Sequence, residues 1–185
     1  MTDLAEIEAA CKDCTRCPLS ATRTQVVFGR GDPTSDLVFV GEAPGAEEDE
    51  QGFPFVGRSG RLLDRLVLEE IGLERDDFFV MNTLMCRPPG NRDPLPDELA
   101  ACRGWFDAKL AALRPRVIVT LGNFASKALL GTTTGITKLR GQTYAWRDGI
   151  TLVPTFHPAA ALRGNSDALA AMRADLVRAK AVLAT

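Results

Sequence analysis

The stretch DLVFVGE (36–42) decides the fold. Its inner residues Leu37, Val38, Phe39 and Val40 are apolar without a break. A strand with one wet face alternates polar and apolar residues. A continuous apolar run suits a strand covered on both faces, as in a parallel sheet. DFFVMNT (77–83) and RVIVTLG (116–122) repeat the pattern, and ITLVPTFH (150–157) supplies a fourth strand. Helical patterns lie between them. GRLLDRLVLEEIGL (60–73) sets Leu62, Leu63, Leu66, Leu68 and Ile71 largely on one side. LPDELAACRGWFDAKLAALRP (95–115) opens with Pro96, Asp97 and Glu98, a sound helix start. NFASKALLG (123–131) offers Asn123 as an N-cap and Gly131 as a stop. Residues 166–183 read as an Ala-rich helix. This alternation predicts an α/β protein, a three-layer α/β/α sandwich around a four-stranded, mostly parallel sheet. QTYAWRDGITLVP adds a hairpin that turns at Asp148-Gly149 into the fourth strand.

The chain of 185 residues suffices for one domain, 1–185, with a full core that needs no metal to fold. Hydrophobic content of 45% and charged content of 25% suit a globular protein. No apolar run approaches the ~20 residues of a membrane span. The first residues lack the basic and apolar regions of a signal peptide, so a cytoplasmic protein is expected. Charge is uneven: residues 1–84 carry a net −9, 85–141 a net +5 and 142–185 a net +2. That permits one basic face on an acidic body, although scattered solvated charge explains it as well.

Three loops follow strand ends, where open α/β sheets bind ligands. The first, 41–60, holds five glycines, Pro44 and Pro54, and suits close backbone approach. It matches neither dinucleotide nor phosphate-loop patterns. Glu42 at the strand end could orient a water, and Phe55 could stack on a planar ligand. The bland readings are a surface acid and a packing anchor. The second loop, NTLMCRPPGNRDPLPDE (82–98), starts with Asn82, whose amide can read the edge of a base. Arg87 and Arg92 flank a Pro-Pro-Gly turn that could present them to phosphates. The third, TFHPAAALRGN (155–165), carries His157, the only histidine, and then Leu162-Arg163, a candidate wedge for base flipping. A carboxylate, an aromatic, an amide and an imidazole at one edge suit enclosing one flipped base. No nucleophile elbow is present.

Cys11, Cys14 and Cys17 are evenly spaced, with Cys86 and Cys102 far along the chain. In a reducing compartment five cysteines favour metal over disulfides. Spacing alone leaves a four-cysteine zinc site and an iron–sulfur cluster both open.

GEAPGAEEDEQGFPFVGRSGRLLD, NTLMCRPPGNRDPLPDE and FHPAAALR, in this order, resemble the family 4 uracil-DNA glycosylases, iron–sulfur enzymes of bacteria and archaea. The resemblance runs from about Cys14 to Arg163. It implies a monofunctional glycosylase that flips uracil from DNA, hydrolyses its N-glycosidic bond, and so starts base excision repair. Glu42 would position or activate the water, and Glu48 also matches an activity-linked position. Phe55 would stack on uracil, Asn82 would pair with its edge, and His157 would hold O2. Gly41, Ala43 and Asn91 would complete the pocket. Arg87, Arg92, Leu162 and Arg163 would meet DNA, the stretch from Ala160 to Arg163 forming the penetrating loop. A [4Fe-4S] cluster would take Cys14, Cys17, Cys86 and Cys102, with Cys11 spare. Implied partners are uracil-containing DNA, single- or double-stranded, with no membrane. A monomer is expected, with room for a replication-clamp contact. A related group binds uracil covalently through a histidine on an inserted basic loop. This chain lacks that insertion, so turnover is expected. The rivals are an iron–sulfur redox protein and a DNA-binding module without catalysis.

Overall fold

The computed structural model describes residues 3–185. Six strands form one sheet: β1 (Arg30–Gly31), β2 (Leu37–Gly41), β3 (Phe79–Asn82), β4 (Val117–Leu121), β5 (Tyr144–Ala145) and β6 (Thr151–Thr155). Their order is β1-β3-β2-β4-β6-β5. The inner four are parallel, as the apolar runs predict. The sequence reading falls short at the edges. β1 pairs antiparallel with β3, and β5 pairs antiparallel with β6. Each edge strand spans only two residues, too short to show a period. The hairpin turns as expected, with Asp148 and Gly149 both at positive φ.

Eight helices accompany the sheet among the described residues: α1 (Leu4–Cys11), α2 (Ala46–Gln51), α3 (Arg58–Glu70), α4 (Pro96–Leu113), α5 (Asn123–Leu130), α6 (Ile136–Leu139), α7 (Pro158–Leu162) and α8 (Ser166–Leu183). None is long and apolar enough to cross a membrane. The sheet's alternation sorts its side chains into two cores. Leu37 and Phe39 face one way and meet Leu63 and Leu66 of α3 and Met172 and Leu176 of α8. Val38 and Val40 face the other way and meet Phe106 and Leu110 of α4 and Leu129 of α5. Every residue of β2 is buried, so the unbroken apolar run has its cause in two covered faces. A third cluster joins Ile7 and Cys11 of α1 to Leu19, Phe28, Met85, Cys86 and Cys102.

Two local expectations are corrected. Gly122 at φ 92°, not Asn123, caps α5; Asn123 opens the helix, and its Oδ1 accepts the Ile136 N–H at 3.1 Å. Any β-carbon on Gly122 would stand 3.0 Å from His157 Cβ, so the cap and the next strand end approach closely. The loop 43–59 also contains α2, hidden in sequence by its acidic composition and flanking glycines.

Candidate active site

The chain reverses direction across the sheet between β2 and β4, and a crevice opens beyond the strand ends there. It holds a cavity of about 520 Å³, lined by Glu42, Glu48, Phe55, Asn82, His157 and Arg163 among others. These residues come from three loops that are far apart in sequence.

Glu42 follows β2. Its carbonyl accepts the Thr83 hydroxyl at 2.7 Å and the Leu84 N–H at 3.1 Å, which fixes its backbone to the start of the second loop. Its carboxylate is half-buried. Burial pushes its pKa above the ordinary glutamate range, and the negative charge of Asp93 adds to the effect. Asn82 ends β3 at 2% exposure, and its Oδ1 has no hydrogen-bond partner. Buried polar groups are normally satisfied, so this orphan acceptor in the cavity wall is free to take a hydrogen bond from a ligand.

Phe55 adopts φ 54°, an uncommon conformation for an aromatic residue. Two glycines make that possible. A β-carbon on Gly60 would lie 1.7 Å from the Phe55 carbonyl oxygen, and one on Gly41 would lie 2.7 Å from the Phe55 ring and 2.5 Å from Asn82 Oδ1. Gly41 therefore serves the pocket by having no side chain. The Val56 and Gly57 N–H groups donate to Glu48 Oε1 at 3.2 and 3.3 Å. On the other side Arg75 Nη2 donates to the Pro54 carbonyl at 3.1 Å. Glu48 thus braces the segment carrying Phe55, whereas the resemblance ties it to catalysis.

His157 precedes α7, and its ring centroid lies 5.8 Å from that of Phe55. The Ala159 N–H donates to its Nδ1 at 3.1 Å, so the neutral ring carries its proton on Nε2. Burial pulls its pKa down, Arg163 pulls it further, and Glu48 opposes them. The residue is therefore held as a neutral donor.

Ala43, Asn91 and Arg92 also line the cavity. Asn91 sits at φ 55° and its Oδ1 accepts Arg87 Nε at 2.7 Å, which ties Arg87 to the loop. Arg92 makes a two-pronged pair with the buried Glu98, at 3.0 and 2.5 Å. Its guanidinium is thus engaged within the protein. Arg163 caps α7 at the mouth, and Leu162 beside it is 36% exposed.

Ser59 and Pro88 line the cavity too and escaped the sequence reading, as did Arg58, Arg61 and Arg65. These three arginines are exposed along α3 at i, i+3 and i+7, and share an open groove with Leu162. None pairs with a carboxylate among the described residues. Their helical spacing was the available signal, obscured by the acidic surroundings in sequence.

The cysteines gather on the far side of the second loop. Cys86 and Cys102 are buried together and Cys17 packs against their cluster. Burial raises the Cys102 thiol, and Cys14 and Cys17 raise it further, so all belong to one neighbourhood. Trp105 Nε1 donates to Cys14 Sγ at 3.3 Å, and Arg23 Nη1 donates to Cys86 Sγ at 3.5 Å. Cys11 is fully buried in the same core and its thiol donates to the Glu8 carbonyl at 3.4 Å. Among the described residues no three His, Cys, Asp or Glu side chains stand close enough to hold one metal ion. A polynuclear cluster keeps its thiolates farther apart than one tetrahedral ion does, and N–H donors to sulfur suit such a group.

An α/β fold whose strand ends carry an aromatic ring, an amide with an unpaired oxygen, an imidazole N–H donor and a raised carboxylate has the groups needed to enclose one planar polar ring. The comparison with known families agrees. Residues 28–179 match the model of the Uracil DNA glycosylase superfamily, and the chain belongs to that superfamily. It is 47% identical to a type-4 uracil-DNA glycosylase of Thermotoga maritima over 159 residues, 85% of this chain and 82% of the other. A type-4 enzyme of Sulfurisphaera tokodaii is 43% identical over 88% of this chain and 77% of its own length. One of Archaeoglobus fulgidus is 41% identical over 88% and 84%. The span matched by the superfamily model begins after Cys14 and Cys17, so the N-terminal half of the cysteine site lies outside it.

Proposed function

We propose that the cavity receives one uracil flipped out of DNA and hydrolyses its bond to the sugar. As a uracil-DNA glycosylase of the type-4 branch, the protein excises uracil in DNA repair. The observation that carries the reading is the convergence of Glu42, Phe55, Asn82 and His157 on one cavity.

In this reading Phe55 stacks on the uracil ring, its backbone held from both sides by Glu48 and Arg75. Asn82 offers an acceptor to N3–H and a donor to O4. His157 directs Nε2–H at O2. Glu42 takes a proton from water as the water oxygen bonds to C1′. The C1′–N1 bond breaks, and its electron pair leaves on uracil, which is protonated on release. Negative charge grows on uracil where the imidazole donor stands, and positive charge grows on the sugar near the carboxylate. Both charges are met by groups already in place. Gly41, Ala43 and Asn91 shape the pocket, and Leu162 with Arg163 fills the gap the base leaves.

The same reading takes residues 1–185 as one domain acting as a monomer on DNA in the bacterial or archaeal cytoplasm. Cys14, Cys17, Cys86 and Cys102 would hold a [4Fe-4S] cluster. When bound, that group supplies a covalent tie between the N-terminal segment, the second loop and α4. Cys11 is left as a core thiol, which agrees with its complete burial.

The reading is tested with an end-labelled oligonucleotide carrying one uracil, incubated with the protein in EDTA and then treated with alkali. A single cut that needs the alkali is expected. No cut, with the probe retarded in SDS, would instead indicate covalent capture.

The arginine stripe on α3 extends the DNA path. From Arg58 to Arg65 the helix rises ~10 Å, about three phosphates of one strand at ~3.4 Å each. Changing Arg61 and Arg65 to Gln should weaken DNA binding and lower the slope of log K against log salt by about 2 for duplex DNA. A slope equal to that of the unchanged protein would remove the stripe from the path.

A further inference from the structure

Lys109 is the charged group that the proposed reaction leaves unused. It lies in α4 with 0% exposure. An ammonium in that position needs a counter-charge, because removing it from water is expensive. No carboxylate among the described residues forms an ion pair with it. Its Nζ donates to the Phe28 carbonyl at 2.8 Å and stands 5.0 Å from the Phe28 ring centroid. One carbonyl and one ring attract the ammonium but bring no negative charge to neutralise it.

The surroundings identify the missing partner. Phe28 packs in the same cluster as Cys11, Cys86 and Cys102. Lys109 follows Cys102 by seven residues, two turns along one helix face. Trp105, on the intervening turn, donates to Cys14. α4 therefore turns one face, Cys102, Trp105 and Lys109, toward the sulfur atoms. Burial lowers the lysine to about 8, and the leading effects that oppose this are Cys102 and Cys11. Glu8, the remaining acid that acts on it, belongs to α1 and has a smaller effect. Arg23 supplies a second cation at Cys86.

We infer that Lys109 is the buried counter-cation of the metal-loaded cysteine site, tying α4 to the negative charge of the four thiolates. This rests on the cluster reading given above. Four thiolates around a [4Fe-4S]2+ core leave a net charge of −2, which Lys109 and Arg23 together balance. Neutral thiols would leave both cations uncompensated. Lysine and cluster should therefore stabilise one another, and neither should be fully stable alone.

The test compares full-length wild type with Lys109→Met, which keeps the length of the side chain and removes the charge. Iron content is measured first. A wild-type preparation without iron overturns the cluster reading, and with it this inference, before any variant is compared. In iron-loaded protein, loss of the visible absorbance under a chelator should run about tenfold faster or more in Lys109→Met. The midpoint of thermal unfolding should fall for loaded Lys109→Met. It should hold or rise for the same variant stripped of iron, because the uncompensated ammonium is gone. Lys109→Gln should behave as Lys109→Met does. Unchanged absorbance loss would overturn the inference. So would equal destabilisation of loaded and stripped protein, the mark of an ordinary packing role.

Discussion

Glu42→Gln is expected to lower the single-turnover rate of uracil excision by about 10²–10⁴-fold, the usual contribution of a general base. Binding to uracil-containing DNA should survive, because the amide keeps the size of the side chain. The pH profile carries the sharper test. Glu42 works ionised, so the rate falls when it is protonated. Burial and Asp93 raise its pKa, which puts the acid limb above the usual ~4.3 of a glutamate. His157 is shifted the opposite way, which keeps its ring neutral at pH 7 and above, and the Glu42→Gln profile separates its contribution from that of the glutamate. Asp93→Asn should move the limb down toward the ordinary value by removing a like charge. Glu42→Gln should abolish the limb and leave a low, flat rate. An unaltered rate in Glu42→Gln, or a limb at the ordinary glutamate value in the wild type, would remove Glu42 from the reaction.

Asn82→Asp is expected to reduce preference for uracil over cytosine by about 10–100-fold, corresponding to the ~1–3 kcal/mol of one good two-pronged base contact. In the proposed reading the amide matches uracil because it accepts from N3–H and donates to O4. Cytosine reverses both groups and would set acceptor against acceptor at N3. A carboxylate accepts at both positions, so it loses the contact to O4 and gains one to the cytosine amino group. The site magnifies the exchange, because Asn82 is 2% exposed and no other partner satisfies its Oδ1. Total uracil excision should fall as well. Asn82→Leu serves as the control: it should lose uracil excision without gaining cytosine. Discrimination that stayed at the wild-type level in Asn82→Asp would show that the base is read elsewhere.

Much of this site is written in the chain's local pattern. The runs at 36–42, 77–83 and 116–122 announce themselves because both faces of the central strands are covered. Glu42, Asn82 and His157 could be assigned to one edge because each stands at or just beyond a strand end. What stayed hidden depends on partners far away in sequence or on geometry with no periodic trace. Arg92 looks like a free cation until Glu98 is seen to hold it. Glu48 looks like one acid in an acidic run, and only the folded loop brings Val56 and Gly57 onto its carboxylate. α2 carries too many acids and too few apolar residues to show a helical face. The need for glycine at position 41 is invisible without the ring of Phe55 pressed against it.

The strand order has a consequence for how the cavity is held together. Glu42 follows β2 and Asn82 ends β3, which pair directly, whereas His157 lies beyond β6, which reaches β2 only through β4. The cavity therefore straddles a single seam, β2 against β4, paired from Leu37 and Val117 to Val40 and Thr120. Sliding β4 along β2 would carry the imidazole away from the acid and the amide while leaving those two in register with each other.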